Sequence, residues 1–264
     1  MKHLPNLLTL ANLFCGCIAI AYVLTAQPYT SMRIDSGMPT WNWVYGAEQI
    51  YYASVFIGIA GICDVLDGLA ARVLDAHSPI GKDLDSLADV VSFGVAPSMI
   101  LYKFLWDALM SEKNAMDISM LAMSPAFLIA CFGALRLARF NVSGGGHKGF
   151  FTGMPIPAVG IFVASFPLLA WYNPWGVGNM LHNKWVLYGV IGLLCWFMVS
   201  RISFIKLMPV KWNMASAWPQ LVLIVLSAVA IPFLHVAAIP FAFLLYIVLS
   251  LVYRQPTVPA DAAS

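Results

Sequence analysis

Six of the chain's twelve acidic residues lie in one stretch, CDVLDGLAARVLDAHSPIGKDLDSLADVVSFG, at residues 63–94. Asp64 and Asp67 stand three residues apart, so a helix presents both on one face. Asp85 and Asp89 stand four residues apart and share one face of a following helix. The other two aspartates fall off these stripes and are expected to be solvated. The spacing therefore predicts two helices, each with a pair of acids on one side.

Other residues continue the same two stripes. Gly68 and Arg72 follow Asp64 at four-residue steps, and Gly81 precedes Asp85 by four residues. The link between the helices, about residues 75–80, is short, so the helices are expected to be antiparallel neighbours. Their stripes can then face each other, and four carboxylates converge.

Four carboxylates in an apolar environment are unfavourable unless cations lie among them. A bare aspartate in hydrocarbon costs several kcal/mol on most scales, and like charges at close range repel. Carboxylate oxygens select hard cations such as Mg²⁺, Mn²⁺ or Ca²⁺. A glycine lets a bulky ligand approach the backbone, and an arginine suits a phosphate or pyrophosphate. The pattern predicts a metal–pyrophosphate site.

Composition places these helices in a membrane. Hydrophobic residues make up 61% of the chain and charged residues 10%, against roughly 25% charged in soluble domains. The mean hydropathy is +0.82. Several apolar runs reach the ~20 residues that a helix needs to cross a bilayer, and the short alternating segments of a membrane barrel are not seen. The fold class is therefore predicted to be an all-α, polytopic transmembrane bundle.

The hydropathy pattern predicts about eight spans. In chain order they are 7–26, 49–74, 84–109, 120–137, 156–172, 185–202, 218–235 and 238–253. Only a two-residue link separates the last two, and the tail 254–264, rich in Pro, Ala and Ser, is expected to be disordered.

Lysine and arginine are distributed unequally between the two sides of this bundle. With the N-terminus in the cytoplasm, the inner segments hold ten of the fourteen: Lys2, Arg72, Lys82, Arg136, Arg139, Lys148, Arg201, Lys206, Lys211 and Arg254. The outer segments hold the other four: Arg33, Lys103, Lys113 and Lys184. By the positive-inside rule both termini, and the acidic link, are predicted to lie on the cytoplasmic side.

The acidic stretch also resembles a known signature. The pattern D-x-x-D-G-x-x-A-R, eight residues, then G-x-x-x-D-x-x-x-D at residues 64–89 is similar, in residue type and spacing, to that of the CDP-alcohol phosphotransferases. The resemblance implies a membrane enzyme with six core helices. Such an enzyme transfers a substituted phosphate from a CDP-linked lipid or alcohol to a hydroxyl and releases CMP.

The family's residue roles carry over by position. The resemblance implies that Asp64, Asp67 and Asp85 are metal ligands, and that Asp89 is the base that takes the proton of the attacking hydroxyl and also a metal ligand. Two divalent ions, Mg²⁺ or Mn²⁺, are implied. The CDP-lipid is expected to contact the remaining signature residues together with Asp67: Gly68, Ala71, Arg72 and Gly81.

Five further segments resemble the membrane-embedded phosphatidylserine synthases within this family: PNLLTLANLFCG, SFGVAPS, ALRLARFN, FTGMPIPA and VSRISFIK. The resemblance implies CDP-diacylglycerol and L-serine as substrates. Serine carries a carboxylate and an ammonium beside its hydroxyl. Arg136 and Arg139, three residues apart, are candidates to hold that carboxylate or the lipid phosphate, and Asn141 is a third candidate. The two arginines also fit the alternative of ordinary positive-inside anchors.

The resemblance also divides the chain. Residues 1–206 are expected to form the catalytic membrane domain, and residues 207–253 two additional helices without an assignable motif. The expected location is the cell (inner) membrane, with the active site facing the cytoplasm. The lipid bilayer is the expected surrounding and a homodimer an open alternative to a monomer, whereas no nucleic-acid partner is expected.

Rival functions remain at this point. Within the family the acceptor could instead be glycerol phosphate or inositol phosphate. A membrane prenyltransferase also holds a pyrophosphate with aspartates and Mg²⁺, but the Gly68–Arg72 pattern argues against this class of enzyme. A cation transporter could use the aspartates as its ion path. Transporter acids, however, usually lie near the membrane midplane on broken helices.

Overall fold

The computed structural model describes residues 4–26, 29–35, 38–44, 47–75, 79–111, 119–142, 150–200, 202–205 and 214–252. Within these residues the α-helices are α1 Leu4–Thr25, α2 Ala47–Val73, α3 Pro79–Asp89, α4 Ala96–Met110, α5 Leu128–Val142, α6 Ile156–Tyr172, α7 Lys184–Val199, α8 Met214–Leu234 and α9 Ala238–Val252. A π-helical segment, Val90–Val95, joins α3 to α4. Three 3₁₀ segments also occur, at Met120–Phe127, Pro174–His182 and His235–Ala237.

The prediction of an all-α, polytopic membrane bundle is confirmed. Five helical runs in the described residues are long and apolar enough to cross a membrane: Leu4–Thr25, Gln49–Val73, Ile80–Met110, Met120–Val142 and Trp218–Val252. A sixth is obtained if α6 and the segment Pro174–His182, which meet at 112°, are taken as one bent span. Asn173 between them adopts a left-handed conformation (φ 40°), which ends α6.

The number of spans differs from the predicted eight in two places. Helix α7 has 16 residues and ends at Val199, because Ser200 is extended, so it is shorter than the predicted span 185–202. The predicted spans 218–235 and 238–253 fall within the single run Trp218–Val252. The predicted break coincides with the 3₁₀ segment, where His235 has a positive φ of 47°. The tail 254–264 lies outside the described residues.

Short strands, which the sequence pattern did not predict, occur at both ends of the bundle. Strand β1 (Tyr29–Asp35) pairs antiparallel with β2 (Met38–Val44), between α1 and α2. Strand β3 (Phe150–Thr152) pairs antiparallel with β4 (Ser203–Ile205), so the segments before α6 and after α7 are joined. The β3–β4 pair and the link from α2 to α3 lie at the end of the bundle where α1 begins and α5 ends.

Close packing fixes the π-helical segment between its neighbours. A Cβ on Gly160 of α6 would lie 2.8 Å from Cα of Phe93 and 3.0 Å from its carbonyl oxygen. On the other side, the Ser92 hydroxyl donates to the carbonyl of Asn12 at 3.0 Å, and a Cβ on Gly16 would overlap Ser92. Helices α1 and α6 therefore hold the backbone that immediately follows Asp89.

We expect Gly160→Ala to lower the thermal unfolding midpoint in detergent. The new methyl group meets backbone atoms of Phe93 that cannot rotate away, and such overpacking typically costs about 1–3 kcal/mol. Gly189→Ala in α7 is the matched control, because no atom lies within 4 Å of the added Cβ. The thermal unfolding midpoint of this control variant should be unchanged or higher than that of the unmodified protein. Equal midpoints for the two variants would contradict the close packing.

Candidate metal and nucleotide site

Three of the four predicted aspartates converge at one end of the bundle. Asp64 and Asp67 lie in the C-terminal half of α2, and Asp85 lies in α3. One carboxylate oxygen from each lies within 4.8 Å of the other two. Asp67 is buried, and the other two are half-buried. The predicted convergence of the two stripes is therefore observed for these three side chains.

Helix α1 contributes a contact to this cluster that the sequence reasoning missed. The Thr9 hydroxyl donates to Oδ2 of Asp67 at 2.8 Å, and it also lies 3.1 Å from the carbonyl oxygen of Pro5. Thr9 is buried, and α1 packs against both α2 and α3. Thr9 thus fixes one carboxylate oxygen of Asp67, and the backbone of Gly68 gives this carboxylate a second hydrogen bond. The sequence signal for this contact was the polar side chain of Thr9, which lies on the same face of α1 as Asn12, three residues later.

Asp89 is buried, as Asp67 is. It is the last residue of α3 and is 7% exposed. Its carboxyl is hydrogen-bonded to that of Asp64, and it also interacts electrostatically with the guanidinium of Arg136 from α5. Arg136 is itself buried, and its guanidinium carbon lies 5.7 Å from the centre of the Phe140 ring. Asp89 is therefore placed between the aspartate cluster and a buried cation.

The chemistry of the cluster fits a divalent cation. One carboxylate oxygen of Asp85 and one of Asp89 are buried without a hydrogen-bond donor from the described residues. Buried carboxylate oxygens are costly when left unsatisfied. A hard cation coordinated by oxygen ligands satisfies such groups. Asp64, Asp67 and Asp85 are therefore the residues that could hold a metal ion here.

The residues predicted to receive a nucleotide lie further along α2, toward the link. No atom lies within 4 Å of a Cβ placed on Gly68, so the backbone faces open space. Ala71 is half-buried, Arg72 is exposed, and Gly81 at the start of α3 is half-buried. The opening beside Gly68 gives a bulky ligand access next to Asp67. The contacts of this ligand stay a prediction.

The three candidates for the acceptor site occupy different environments. Arg136 is buried and faces Asp89, whereas Arg139 is exposed. The side-chain amide of Asn141 donates to the Ser86 hydroxyl at 2.8 Å, and the backbone carbonyl of Asn141 accepts from Lys82 Nζ at 3.4 Å. Asn141 therefore ties the end of α5 to α3. Of the three, Arg136 is the one that is buried.

Known proteins resemble this chain over most of its length. A model of the family described as CDP-alcohol phosphatidyltransferase matches residues 2–199. A CDP-diacylglycerol--serine O-phosphatidyltransferase of Helicobacter pylori (strain J99) is 34% identical over 211 residues, which cover 80% of this chain and 75% of that protein.

Two further relatives extend the comparison. A protein of the same name from Bacillus subtilis (strain 168) is 32% identical over 206 residues, covering 77% of this chain and 90% of that protein. An archaetidylserine synthase of Methanothermobacter thermautotrophicus is 34% identical over 173 residues, covering 64% and 60% respectively. The similarity therefore includes both bacterial and archaeal proteins.

We expect Thr9→Val to weaken divalent-metal binding, because Asp67 loses the hydrogen bond that orients it. A ligand that binds the folded state raises the thermal midpoint, so the midpoint is measured against Mg²⁺ or Mn²⁺ concentration. The apparent dissociation constant should rise about tenfold, as is typical when a residue that orients a metal ligand is lost, and Thr9→Ser should restore it.

Thr25→Val is the matched control for this experiment. Thr25 lies at the other end of α1, and its hydroxyl donates to the carbonyl of Ala21 within the same helix. The thermal midpoint of Thr25→Val should depend on metal concentration in the same way as that of the unmodified protein. If Thr9→Val also behaves like the unmodified protein while Asp85→Asn loses the response, Thr9 has no part in the site.

Proposed function

The chain belongs to the CDP-alcohol phosphatidyltransferase family, and we propose that it transfers the phosphatidyl group of CDP-diacylglycerol to the hydroxyl of L-serine. The products are phosphatidylserine and CMP. The observation that carries this proposal is the convergence of Asp64, Asp67 and Asp85 within the family signature. Serine as the acceptor is supported by the names of the relatives, which specify a serine lipid in bacterial and archaeal proteins alike.

The family assignment argues against two of the rival functions. The enzyme is a membrane-integral transferase of substituted phosphate groups, and neither the cation-transporter nor the prenyltransferase alternative receives support. Glycerol phosphate and inositol phosphate remain the acceptors against which serine has to be tested, because the signature does not distinguish one acceptor from another.

Asp64, Asp67 and Asp85 are proposed to hold one divalent cation, and Asp89 to complete a second site with Asp64. Mg²⁺ and Mn²⁺ are the candidates, because both prefer carboxylate oxygens. When bound, such ions neutralise the charge of the pyrophosphate and of the leaving phosphate. The protein residues then have to position the two substrates, which is the main contribution of protein to phosphoryl transfer.

The proton of the serine hydroxyl is proposed to pass to Asp89. A bond forms between the serine oxygen and the phosphorus of the phosphatidyl group. The bond from that phosphorus to the bridging oxygen breaks, and CMP leaves with the oxygen. Asp89 is suited to this role because it is buried and has a carboxylate oxygen without a hydrogen-bond donor from the described residues.

The nucleotide and the acceptor are proposed to bind on opposite sides of Asp89. Gly68, Ala71, Arg72 and Gly81, with Asp67, form the nucleotide side, where the backbone at Gly68 faces open space. Arg136 forms the acceptor side and pairs with the serine carboxylate or the lipid phosphate. Arg139 and Asn141 are proposed to support this side, Asn141 through its contacts with α3.

The orientation and assembly of the enzyme are further parts of the proposal. The ten-to-four distribution of lysine and arginine supports cytoplasmic termini and a cytoplasmic active site in the cell (inner) membrane. Residues 1–206 are proposed as the catalytic domain, with the later helices as an addition to it. A homodimer within the lipid bilayer is compatible with this arrangement.

The function is tested with an acceptor panel. Purified protein in detergent or vesicles receives CDP-diacylglycerol, Mg²⁺ or Mn²⁺, and serine, glycerol phosphate or inositol phosphate. CMP release and the lipid product are measured. Of the three acceptors, only serine should give rapid CMP release and a product with the mass of phosphatidylserine. EDTA should abolish both the CMP release and the lipid product. Faster turnover with either phosphorylated acceptor would overturn serine as the substrate.

We expect Asp89→Asn to retain CDP-diacylglycerol binding but to lose transfer. The amide cannot take a proton at the serine hydroxyl, and loss of a general base typically reduces the rate by about 10²–10⁴-fold. Binding and turnover are measured on one preparation. Asp83→Asn, an exposed position on the same helix, is the matched control and should be unaffected. A parallel loss of binding and turnover would assign Asp89 to metal ligation alone.

We expect Arg136→Ala and Arg139→Ala to differ. Removal of the buried Arg136 should raise the KM for serine or for the CDP-lipid by at least tenfold, since a hydrogen bond to a charged group contributes about 1.5–3 kcal/mol. Removal of the exposed Arg139 should change either KM less, because solvent screens its charge. If neither variant alters either KM, both arginines are membrane anchors.

A further inference from the structure

The side-chain amide of Asn12 in α1 is buried and unpaired. The residue is 0% exposed, and neither its amide nitrogen nor its amide oxygen has a hydrogen-bond partner among the described residues. Unpaired polar atoms are costly in a protein interior, and the large majority of buried side-chain polar atoms are paired with protein or water. Asn12 is therefore suited to bind a polar ligand, provided that it lies at the site.

Two contacts show that α1 and α2 run antiparallel. Near the start of α1, the Thr9 hydroxyl donates to Oδ2 of Asp67, near the end of α2, at 2.8 Å. At the opposite end of this helix pair, the Tyr22 ring packs against the Tyr52 ring, with ring centres 5.6 Å apart. Three residues forward along α1 therefore reach the same depth in the bundle as three residues back along α2, since both steps are about 4.5 Å.

This register places Asn12 at the level of the acidic site. Asn12 lies three residues after the threonine and shares its buried face of α1, and Asp64 lies three residues before the bonded aspartate, so the two are at equal depth. Helix α3 and its continuation agree with this placement. The backbone carbonyl of Asn12 accepts from the Ser92 hydroxyl at 3.0 Å, and Ser92 is three residues after Asp89. Asn12 thus lies between α2 and the segment that follows the proposed base.

We propose that the side-chain amide of Asn12 binds the acceptor, its oxygen accepting from the ammonium group of serine and its NH₂ group donating to an acceptor oxygen. The inference rests on the proposed function, in which Arg136 binds an anionic group. Arginine has no acceptor atom, whereas an amide has both a donor and an acceptor. The carboxylates of the site would hold metal ions in the proposed function, so Asn12 supplies an uncharged oxygen for the ammonium group.

The test is Asn12→Leu, which keeps the approximate size of the side chain and removes both polar atoms. The thermal unfolding midpoint without substrates should be unchanged or higher, because an unpaired buried amide is replaced by an apolar group. The KM for serine should rise at least about tenfold, since hydrogen bonds to charged groups are among the stronger ones. The KM for CDP-diacylglycerol should change little.

The outcomes separate a binding role from a structural one. A lower midpoint would show that the amide is paired within the protein, and an unchanged KM for serine would show that it does not touch the acceptor. Either result overturns the inference. Equal increases in the KM values of both substrates would overturn it as well, because they would indicate a general distortion of the site.

Gln49→Met is the matched control. The side-chain oxygen of Gln49 is also buried without a hydrogen-bond donor from the described residues. It lies near the start of α2, about 22 Å along the helix from Asp64. This variant should have an unchanged or higher midpoint and unchanged KM values. A rise in the KM for serine equal to that of Asn12→Leu would contradict a specific role for Asn12.

The ammonium contact is tested with two inhibitors. L-alanine keeps both charged groups of serine and lacks the hydroxyl, whereas propionate lacks the hydroxyl and the ammonium group. L-alanine should inhibit the unmodified enzyme more strongly than propionate does, and Asn12→Leu should reduce this difference. Equal inhibition of the unmodified enzyme, or an undiminished difference in Asn12→Leu, would overturn the contact.

Failure of this inference can be told apart from failure of the proposed function. If the acceptor panel shows that glycerol phosphate or inositol phosphate is used instead of serine, the proposed function is wrong, and the ammonium contact with it. If serine is the acceptor but Asn12→Leu leaves its KM unchanged, only the role of Asn12 is wrong.

Discussion

Repulsion among four carboxylates in an apolar bundle is the constraint on which the rest of the structure depends. Asp64, Asp67 and Asp85 bring oxygens within 4.8 Å of one another, and Asp89 adds a fourth charge beside Asp64. Moving such groups out of water costs several kcal/mol each unless they are paired or coordinated. The chain offsets a part of this cost with one hydroxyl from α1 and one guanidinium from α5. The remainder requires the cations and substrates that the site is proposed to bind.

Close packing of α1 and α6 fixes the backbone that follows Asp89. The π-helical segment after Asp89 is held between Asn12 and Gly16 of α1 and Gly160 of α6. π-helical turns are frequently found at functional sites, and here one begins immediately after the proposed base. Because a bulky side chain at either glycine position would displace this backbone, the position of Asp89 depends on residues that contact no ligand.

The sequence predicts local features of the site well and distant contacts poorly. The two acidic stripes follow from helical periodicity, which depends only on residues three or four positions apart, and the structure brings three of the four aspartates together. The Thr9–Asp67 hydrogen bond joins residues 58 positions apart, and the Tyr246–Ile205 bond joins residues 41 apart. Such contacts are set by how the helices pack. The paired strands β3 and β4 were missed for the same reason, since three-residue strands carry little periodicity.

Under the proposed function, the difference in burial around Asp89 would let a lipid and a zwitterion meet at one site. Leu66 and Leu69 are 45% and 41% exposed and flank Asp67 and Gly68, so the acyl chains would stay in the bilayer while the nucleotide lies along Gly68 and Arg72. Arg136, the residue proposed for the acceptor, is almost wholly buried, so an acceptor would have to exchange its water for fixed protein groups. Under the proposed function, electrostatic interactions with the acceptor are therefore stronger than those with the exposed Arg72, because low polarity strengthens them. Selection of the acceptor would then depend on α5, whereas the chemistry of phosphate transfer would depend on α2 and α3.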